Sequence, residues 1–457
     1  MSRARVVELS LLGVVLVAQG VLFARPIHSA TNYDEGVYLA ALDALRHGQA
    51  LGSDVFAAQF PGFYELLRGL SFITGIGVVA VRAGLLAVTL AGTVGGWLVG
   101  RRFGGKTGGL LVAALLVVAP PLDLFSFQVI ADTPALALTL LALGLATLPG
   151  TILAVATGVV FGAALSIKLT ALTAAPAALW LIRRRIGPAL AGFAAFWLVL
   201  LLAHVQALGS LWSSGITYHD RARSTPAVIP HPHRQILDQI PHSTPFFWLA
   251  IAAAVAGLAY LALRRPLGTW PLWSWVVLAV VFLLVHKPLH YNHLVEFPFT
   301  LAVAAGATLG AVLERQRLPM RPVLTGLLAV VLLAAFVQQW HRTSLALTPE
   351  PSSNVAAANA LERLTPPGTL VVDDRPIVSF LARRRVVGQL VDLALLRFET
   401  GSLTDAQVLE GLRPANAVVV SRSLRTRPAV LAFVRAHFTR VYAAGGVSIY
   451  TRHRSRR

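Results

Sequence analysis

MSRARVVELSLLGVVLVAQGVLFARPIHSATNYDEGVY, residues 1–38, carries the decisive pattern. Two arginines, Arg3 and Arg5, precede an apolar run over roughly 6–24. At 1.5 Å per helical residue that run crosses a hydrocarbon core of about 30 Å. It is longer than the apolar region of a signal peptide, and no clear small-x-small cleavage site follows, so it reads as a retained membrane helix. An acidic pair, Asp34-Glu35, comes soon after it.

The same alternation runs outward from this stretch. Further apolar runs fall at roughly 77–100, 107–122, 132–148, 151–167, 170–182, 188–208, 246–263, 271–286, 294–313 and 321–340, with Pro120, Pro121, Pro134 and Pro176 interrupting the third to sixth of the whole set. The chain of 457 residues is 56% hydrophobic and 13% charged, where a soluble chain carries about 25%. The sequence therefore predicts an all-α polytopic membrane domain of about eleven transmembrane helices.

Arg3 and Arg5; Arg101, Arg102 and Lys106; Arg183 to Arg185; Arg264 and Arg265; and Arg315, Arg317 and Arg321 occupy alternate connections. By the positive-inside rule these lie in the cytoplasm and the N-terminus with them. The outward connections are then about 25–76, 123–131, 209–245, 286–293 and everything after 341. The basic residues behind the formal charge of +19 sit mainly in these clusters and in the C-terminal domain, and no basic helix interleaved with aromatics speaks for nucleic acid. There is no cysteine, so disulfide and thiolate chemistry are excluded.

Near residue 352 the pattern changes. β-rich runs at 369–373, 416–421 and 447–451 alternate with amphipathic stretches at 355–364, 404–412 and 428–437, which predicts a small α/β domain. The boundaries are 1–345 for the membrane domain and 346–457 for an extracytoplasmic α/β domain. Asp373 and Asp374 follow a strand and precede Pro376, a pattern for capping a helix start. The terminal Arg-His-Arg-Ser-Arg-Arg reads as a solvated tail.

In the first outward loop Tyr38, Ala41, Leu42 and Leu45 recur at helical spacing with Asp43 and His47 opposite, predicting an amphipathic helix in the membrane interface. Asn32 and Glu35 have the spacing of a capping box. Asp34 either shares that role or is a general base, ionised at neutral pH and able to take a proton. Spacing alone leaves both open. Lys168 is costly inside a bilayer, so it either snorkels from a helix end or holds an anion. Arg221 and Arg223 are further phosphate candidates or members of a solvated loop. His231-Pro232-His233 and the set His286, His290 and His293 lack a recognisable metal-ligand spacing, so no metal ligands are assigned and a divalent ion is left open.

Taken together, Asp34-Glu35, the helix behind it, Gly48, Asp54 and Gln59-Phe60-Pro61-Gly62-Phe63-Tyr64 resemble the GT-C glycosyltransferases, bacterial members related to protein mannosyltransferases and lipid A aminoarabinose transferase. Ala131-Asp132-Thr133-Pro134, Ser166-Ile167-Lys168-Leu169-Thr170, Pro288-Leu289-His290-Tyr291-Asn292-His293 and Val372-Asp373-Asp374 fit the same resemblance. It implies a hexosyl- or pentosyltransferase that uses a polyprenyl-phosphate or diphosphate sugar, inverting at the anomeric carbon. Asp34 is then the catalytic base with Glu35 beside it, and Lys168, Asp132, Arg221, Arg223, His290 and His293 bind substrate. Some relatives carry a charged Glu-Lys-Pro where this chain has Gln59-Phe60-Pro61, so a lysine or metal ligand there is missing.

The implied partners are a polyprenyl-linked sugar, membrane lipids and an acceptor glycan, lipid or protein. The competing class is a lipid or solute transporter or flippase, which would place ionisable groups near the midplane in repeated halves. No internal repeat is found. Reporter fusions after Lys106, Arg185, Arg265 and Arg317 should report cytoplasm, and fusions near Gly52, His231 and Arg363 the outside. A cytoplasmic signal at Arg363 would overturn the orientation.

Overall fold

Runs of Leu, Val and Ala close their hydrogen bonds within the helix, which is what hydrocarbon demands of a spanning backbone. In the computed structural model, residues 2–120, 122–225, 233–238, 244–264, 268–315, 321–345 and 347–453 are described. Pro121, His231, Pro232, Arg265, Arg317 and the last four residues of the basic tail lie outside them. In chain order the helices begin with α1 (Arg3–Ala24), α2 (Tyr33–Arg46), α3 (Pro61–Thr74) and α4 (Val78–Val118). Next come α5 (Asp132–Ala146), α6 (Thr151–Ile167), α7 (Ala175–Ile182), α8 (Ile186–Ala203) and α9 (Tyr218–Arg223). Then follow α10 (Pro245–Arg264), α11 (Trp270–Val285), α12 (Glu296–Arg315) and α13 (Arg321–Leu345).

Two compact units emerge. One comprises Met1–Ile27, Arg82–Leu200 and His231–Leu347; the other comprises His28–Val81, Leu201–Pro230 and Thr348–Arg457. Segments 28–81 and 201–230 thus group with the C-terminal region 348–457.

The first unit is a helical bundle. Among the described residues five candidate spans, including Arg3–His28, Val78–Val118 and Ile186–Ala203, are long and apolar enough to cross a membrane, and five further apolar helices are shorter. Val17, Val199, Leu202, Val330 and Leu333 are each at least 63% exposed. Such large apolar surface suits lipid and not water. This is a multi-pass membrane protein. The core lies around Phe247, Leu115, Leu140 and Trp275, with α12 threading it.

Close approach in this bundle depends on glycine. α4 breaks at Gly104 and Gly105, the latter at φ 68°. Gly310 on α12 lies so close to Gly108 that a Cβ would strike its backbone. Beside the break the carboxylate of Glu314 accepts the Thr107 N–H at 2.7 Å.

The second unit is built on a five-stranded mixed sheet in the order β2-β1-β3-β5-β4. Its strands are β1 (Leu370–Asp373), β2 (Arg385–Val386), β3 (Ala417–Val420), β4 (Phe438–Ala444) and β5 (Val447–Arg452). β1 pairs in parallel with β2 and β3, while β5 runs antiparallel to β3 and β4. Helices α14 (Ser352–Leu364), α15 (Ile377–Leu381), α16 (Leu395–Glu399), α17 (Asp405–Leu412) and α18 (Pro428–His437) complete it. Asp373 accepts from the N–H groups of Arg375 and Ser379, and Asp374 from those of Ser421, Arg422 and Leu424. Neither acid is the N-cap of α15, which is Pro376 without a side-chain cap bond; Asp373 instead ties the turn after β1 and Asp374 the loop after β3.

One expectation is corrected. α2 is not an interfacial helix with one wet face: Val37, Leu39, Ala40 and Ala44 are as buried as Tyr38, Ala41, Leu42 and Leu45. Gly36 brings it against Ile377 of α15, with a built Cβ only 3.0 Å from that backbone nitrogen.

The glycine contacts set a stability test. Gly310→Ala should destabilise by about 1–3 kcal/mol, the usual range for overpacking. Gly326→Ala, where a Cβ meets nothing within 4 Å, should leave stability the same or slightly higher. Thermal unfolding in detergent checks both, and equal midpoints would refute the tight crossing.

Candidate functional site

In the first unit, helix geometry assembles one polar cluster. α5 starts at Asp132 and α6 ends before Lys168, whose extended backbone terminates the helix. The two helices are antiparallel neighbours joined by a short turn, so the first residue of one meets the residue after the other. A carboxylate at a helix N-terminus and an ammonium at a C-terminus each suit the helix dipole. Lys168 Nζ donates to Asp132 Oδ1 at 2.5 Å, with side-chain exposures of 13% and 6%. Asn292, in the 3-10 turn Tyr291–Val295, donates to Asp132 Oδ2 at 2.7 Å. Nearby, Thr173 donates to Oε1 of buried Glu296 at 2.8 Å and receives the Trp275 indole N–H at 3.0 Å.

His290 and His293 flank Asn292 in this turn. His293 is buried, and its Nδ1 accepts the His290 backbone N–H at 3.2 Å, which leaves the ring proton on Nε2 in the neutral form. Its ring meets His286 edge-on at 4.7 Å, while His290 is exposed. Among the described residues no three His, Cys, Asp or Glu side chains are grouped to hold a metal. The pair at His231 and His233 falls outside the described side chains.

In the second unit the acidic pair divides its roles. Asn32 Oδ1 accepts the Glu35 N–H at 2.8 Å, and Glu35 Oε2 accepts the Asn32 N–H at 3.2 Å. Glu35 is fully buried in this capping box, whereas Asp34 is exposed in the same first turn.

A buried polar and aromatic cluster belongs to this unit. The Tyr33 hydroxyl donates to Asp392 Oδ1 at 3.0 Å and accepts the Leu393 N–H at 3.0 Å. Arg397 donates to the Asp392 carbonyl and lies 3.5 Å over the Phe56 ring. Phe56 in turn meets Tyr218 edge-on at 6.0 Å. Burial, then the charge of Asp392, raises the Tyr33 and Tyr218 phenols well above their ordinary value, and Asp34 adds to the effect on Tyr218. Burial likewise raises Tyr64 and lowers Arg397. These phenols stay neutral donors at ordinary pH.

Of the residues singled out from sequence, the structure joins Asp132 to Lys168, with His290 and His293 in the turn that supplies Asn292. Asp34 and Glu35 are adjacent, and Arg221 and Arg223 are exposed on α9 of that unit. Gln59, where relatives carry charge, donates to the Tyr38 hydroxyl at 3.1 Å. Sequence reasoning passed over Asn292, Glu296, Tyr33, Asp392 and Arg397. An acid at the start of an apolar span was a usable signal for Glu296.

No family model matches the chain, and no curated protein sequence does. Solved structures do. ArnT from Cupriavidus metallidurans bound to undecaprenyl phosphate superposes with a TM-score of 0.69 at 15% identity, over 100% of this chain and 99% of that one. The chain shares the fold of that structure from end to end. The oligosaccharyltransferase AglB from Archaeoglobus fulgidus, in complex with an inhibitory peptide and a dolichol-phosphate, gives a TM-score of 0.57 at 11% identity, over 99% and 75%. At these identities the likeness is one of fold.

The ion pair makes a testable demand. Asp132→Ala strands a buried ammonium and should cost about 3–5 kcal/mol, whereas replacing both partners, Asp132→Asn with Lys168→Met, should cost far less. Thermal unfolding of the single and double variants decides it, and an equal loss in both would mean that the pair is not buried as a unit.

Proposed function

We propose that the chain is a membrane glycosyltransferase that moves a sugar from a polyprenyl-phosphate or diphosphate donor to an extracytoplasmic acceptor hydroxyl. The observation that carries this reading is the end-to-end match to ArnT, a structure holding undecaprenyl phosphate. About eleven crossings, a cytoplasmic N-terminus and a catalytic domain 1–345 followed by an extracytoplasmic domain 346–457 belong to the same proposal.

Asp34 is the proposed base, supported by its exposure at a helix start whose cap Glu35 already provides. As the acceptor oxygen bonds to the anomeric carbon with inversion, Asp34 takes its proton. The carbon–oxygen bond to phosphate breaks and the lipid phosphate leaves with the electron pair. Lys168, paired with the Asp132 carboxylate that Asn292 also holds, supplies a point charge for that phosphate, with Arg221, Arg223, His290 and His293 as further substrate contacts. The sugar and the class of acceptor are not specified by these features.

Purified protein should consume an added polyprenyl-phosphate sugar. Asp34→Asn keeps its size and should preserve folding, but turnover should fall roughly 10²–10⁴-fold, the contribution of a positioned general base. Glu35→Gln keeps the capping geometry and should be milder. Near-normal turnover by Asp34→Asn with loss in Glu35→Gln would move the base to Glu35. Activity in both would move it away from this helix, with Asp132 next to be tried.

A further inference from the structure

The first unit has a second charged feature, at the opposite end of α5 and α6 from Asp132 and Lys168. α5 has 15 residues, so the two ends lie roughly 22 Å apart. There the turns between α5 and α6 and between α7 and α8 border a cavity of about 380 Å³ lined by Arg102, Arg183, Arg184, Arg185 and Trp180. Among its described lining residues there is no Asp or Glu.

Topology alone explains basic residues in such turns. It does not explain their preparation. Arg185 donates to the carbonyls of Ala146, Leu148 and Gly150, capping the end of α5 and the turn beyond it. Arg183 donates to the Trp180 carbonyl at 2.6 Å and lies 4.2 Å over its ring. Phe103 stacks on that indole at 5.3 Å. Four arginines line one cavity and no carboxylate is among its described lining residues, an arrangement that an anion relieves and that planar guanidinium matches to phosphate.

We propose that this cavity holds the phosphate headgroup of an anionic phospholipid. The lipid source is favoured over a free anion because Trp180 and Leu181 share the lining and the adjoining helices are apolar, Ile186–Ala203 being long enough to cross a membrane. Basic pockets between such helices, with an aromatic ring at the interface, suit lipid headgroups. The site goes beyond the transferase reading, since nothing in the proposed reaction uses these arginines.

The test uses the full chain in phosphatidylcholine nanodiscs containing a trace of phosphatidylglycerol with a photoreactive diazirine near the headgroup. Mapped adducts should fall within residues 146–150 and 180–185. Unlabelled phosphatidylglycerol should suppress them, while millimolar inorganic phosphate should not. Arg183→Gln with Arg184→Gln should cut the yield roughly tenfold, the scale expected for losing a charge-assisted contact. Arg3→Gln with Arg5→Gln should leave the yield unchanged. Arg102→Gln, which removes no backbone bond described above, should weaken labelling on its own and covers the case in which the double variant does not fold. Labelling indifferent to these arginines, or erased equally by inorganic phosphate, overturns the proposal.

Discussion

Hydrocarbon cannot hydrogen-bond a backbone, and from that constraint the arrangement follows. Every segment that meets lipid must be helical, and a helix satisfies its own amides and carbonyls except in its first and last turns. Polar chemistry therefore collects at helix ends. Asp132 is the first residue of its helix, Lys168 the residue after another, Glu296 the start of a third, and Asp34 and Glu35 the opening turn of α2. Each stands where unpaired N–H or C=O groups and the helix dipole favour its charge.

Much of this was legible before any coordinates. Apolar runs of about 20 residues name their own helices, and antiparallel neighbours of similar length bring Asp132 to Lys168 without a motif. The three strands found from sequence have inward-facing, β-branched cores. β4 escaped because only Phe438 is buried along it, so no apolar alternation marks the strand, and β2 has just two residues. α2 misled for the opposite reason. Periodicity shows one apolar face, but the small residues Gly36, Ala40 and Ala44 on the other face are there to admit a neighbour. Asp392 lies in irregular chain and Arg397 in the short helix α16, both far in sequence from Tyr33, and no local pattern announces such a partnership.

The two polar clusters handle burial differently. Asp132 and Lys168 cancel each other, with Asn292 satisfying the second carboxylate oxygen. Arg397 instead relies on backbone carbonyls and the face of Phe56, while neutral phenols surround it. The first arrangement fixes a charge pair, and the second keeps a cation in an aromatic setting.

The second unit is discontinuous, and this has a consequence for biogenesis. Thr31 donates its N–H and hydroxyl to Glu350, across 319 residues. At 5–20 residues per second, synthesis needs roughly 15–60 s to supply that partner. Through this interval the segment behind the first helix must wait with its apolar residues uncovered, and a membrane surface is the nearest shelter for them. Maturation of the unit is thus a late event, set by translation of the last segment instead of by the folding speed of the first.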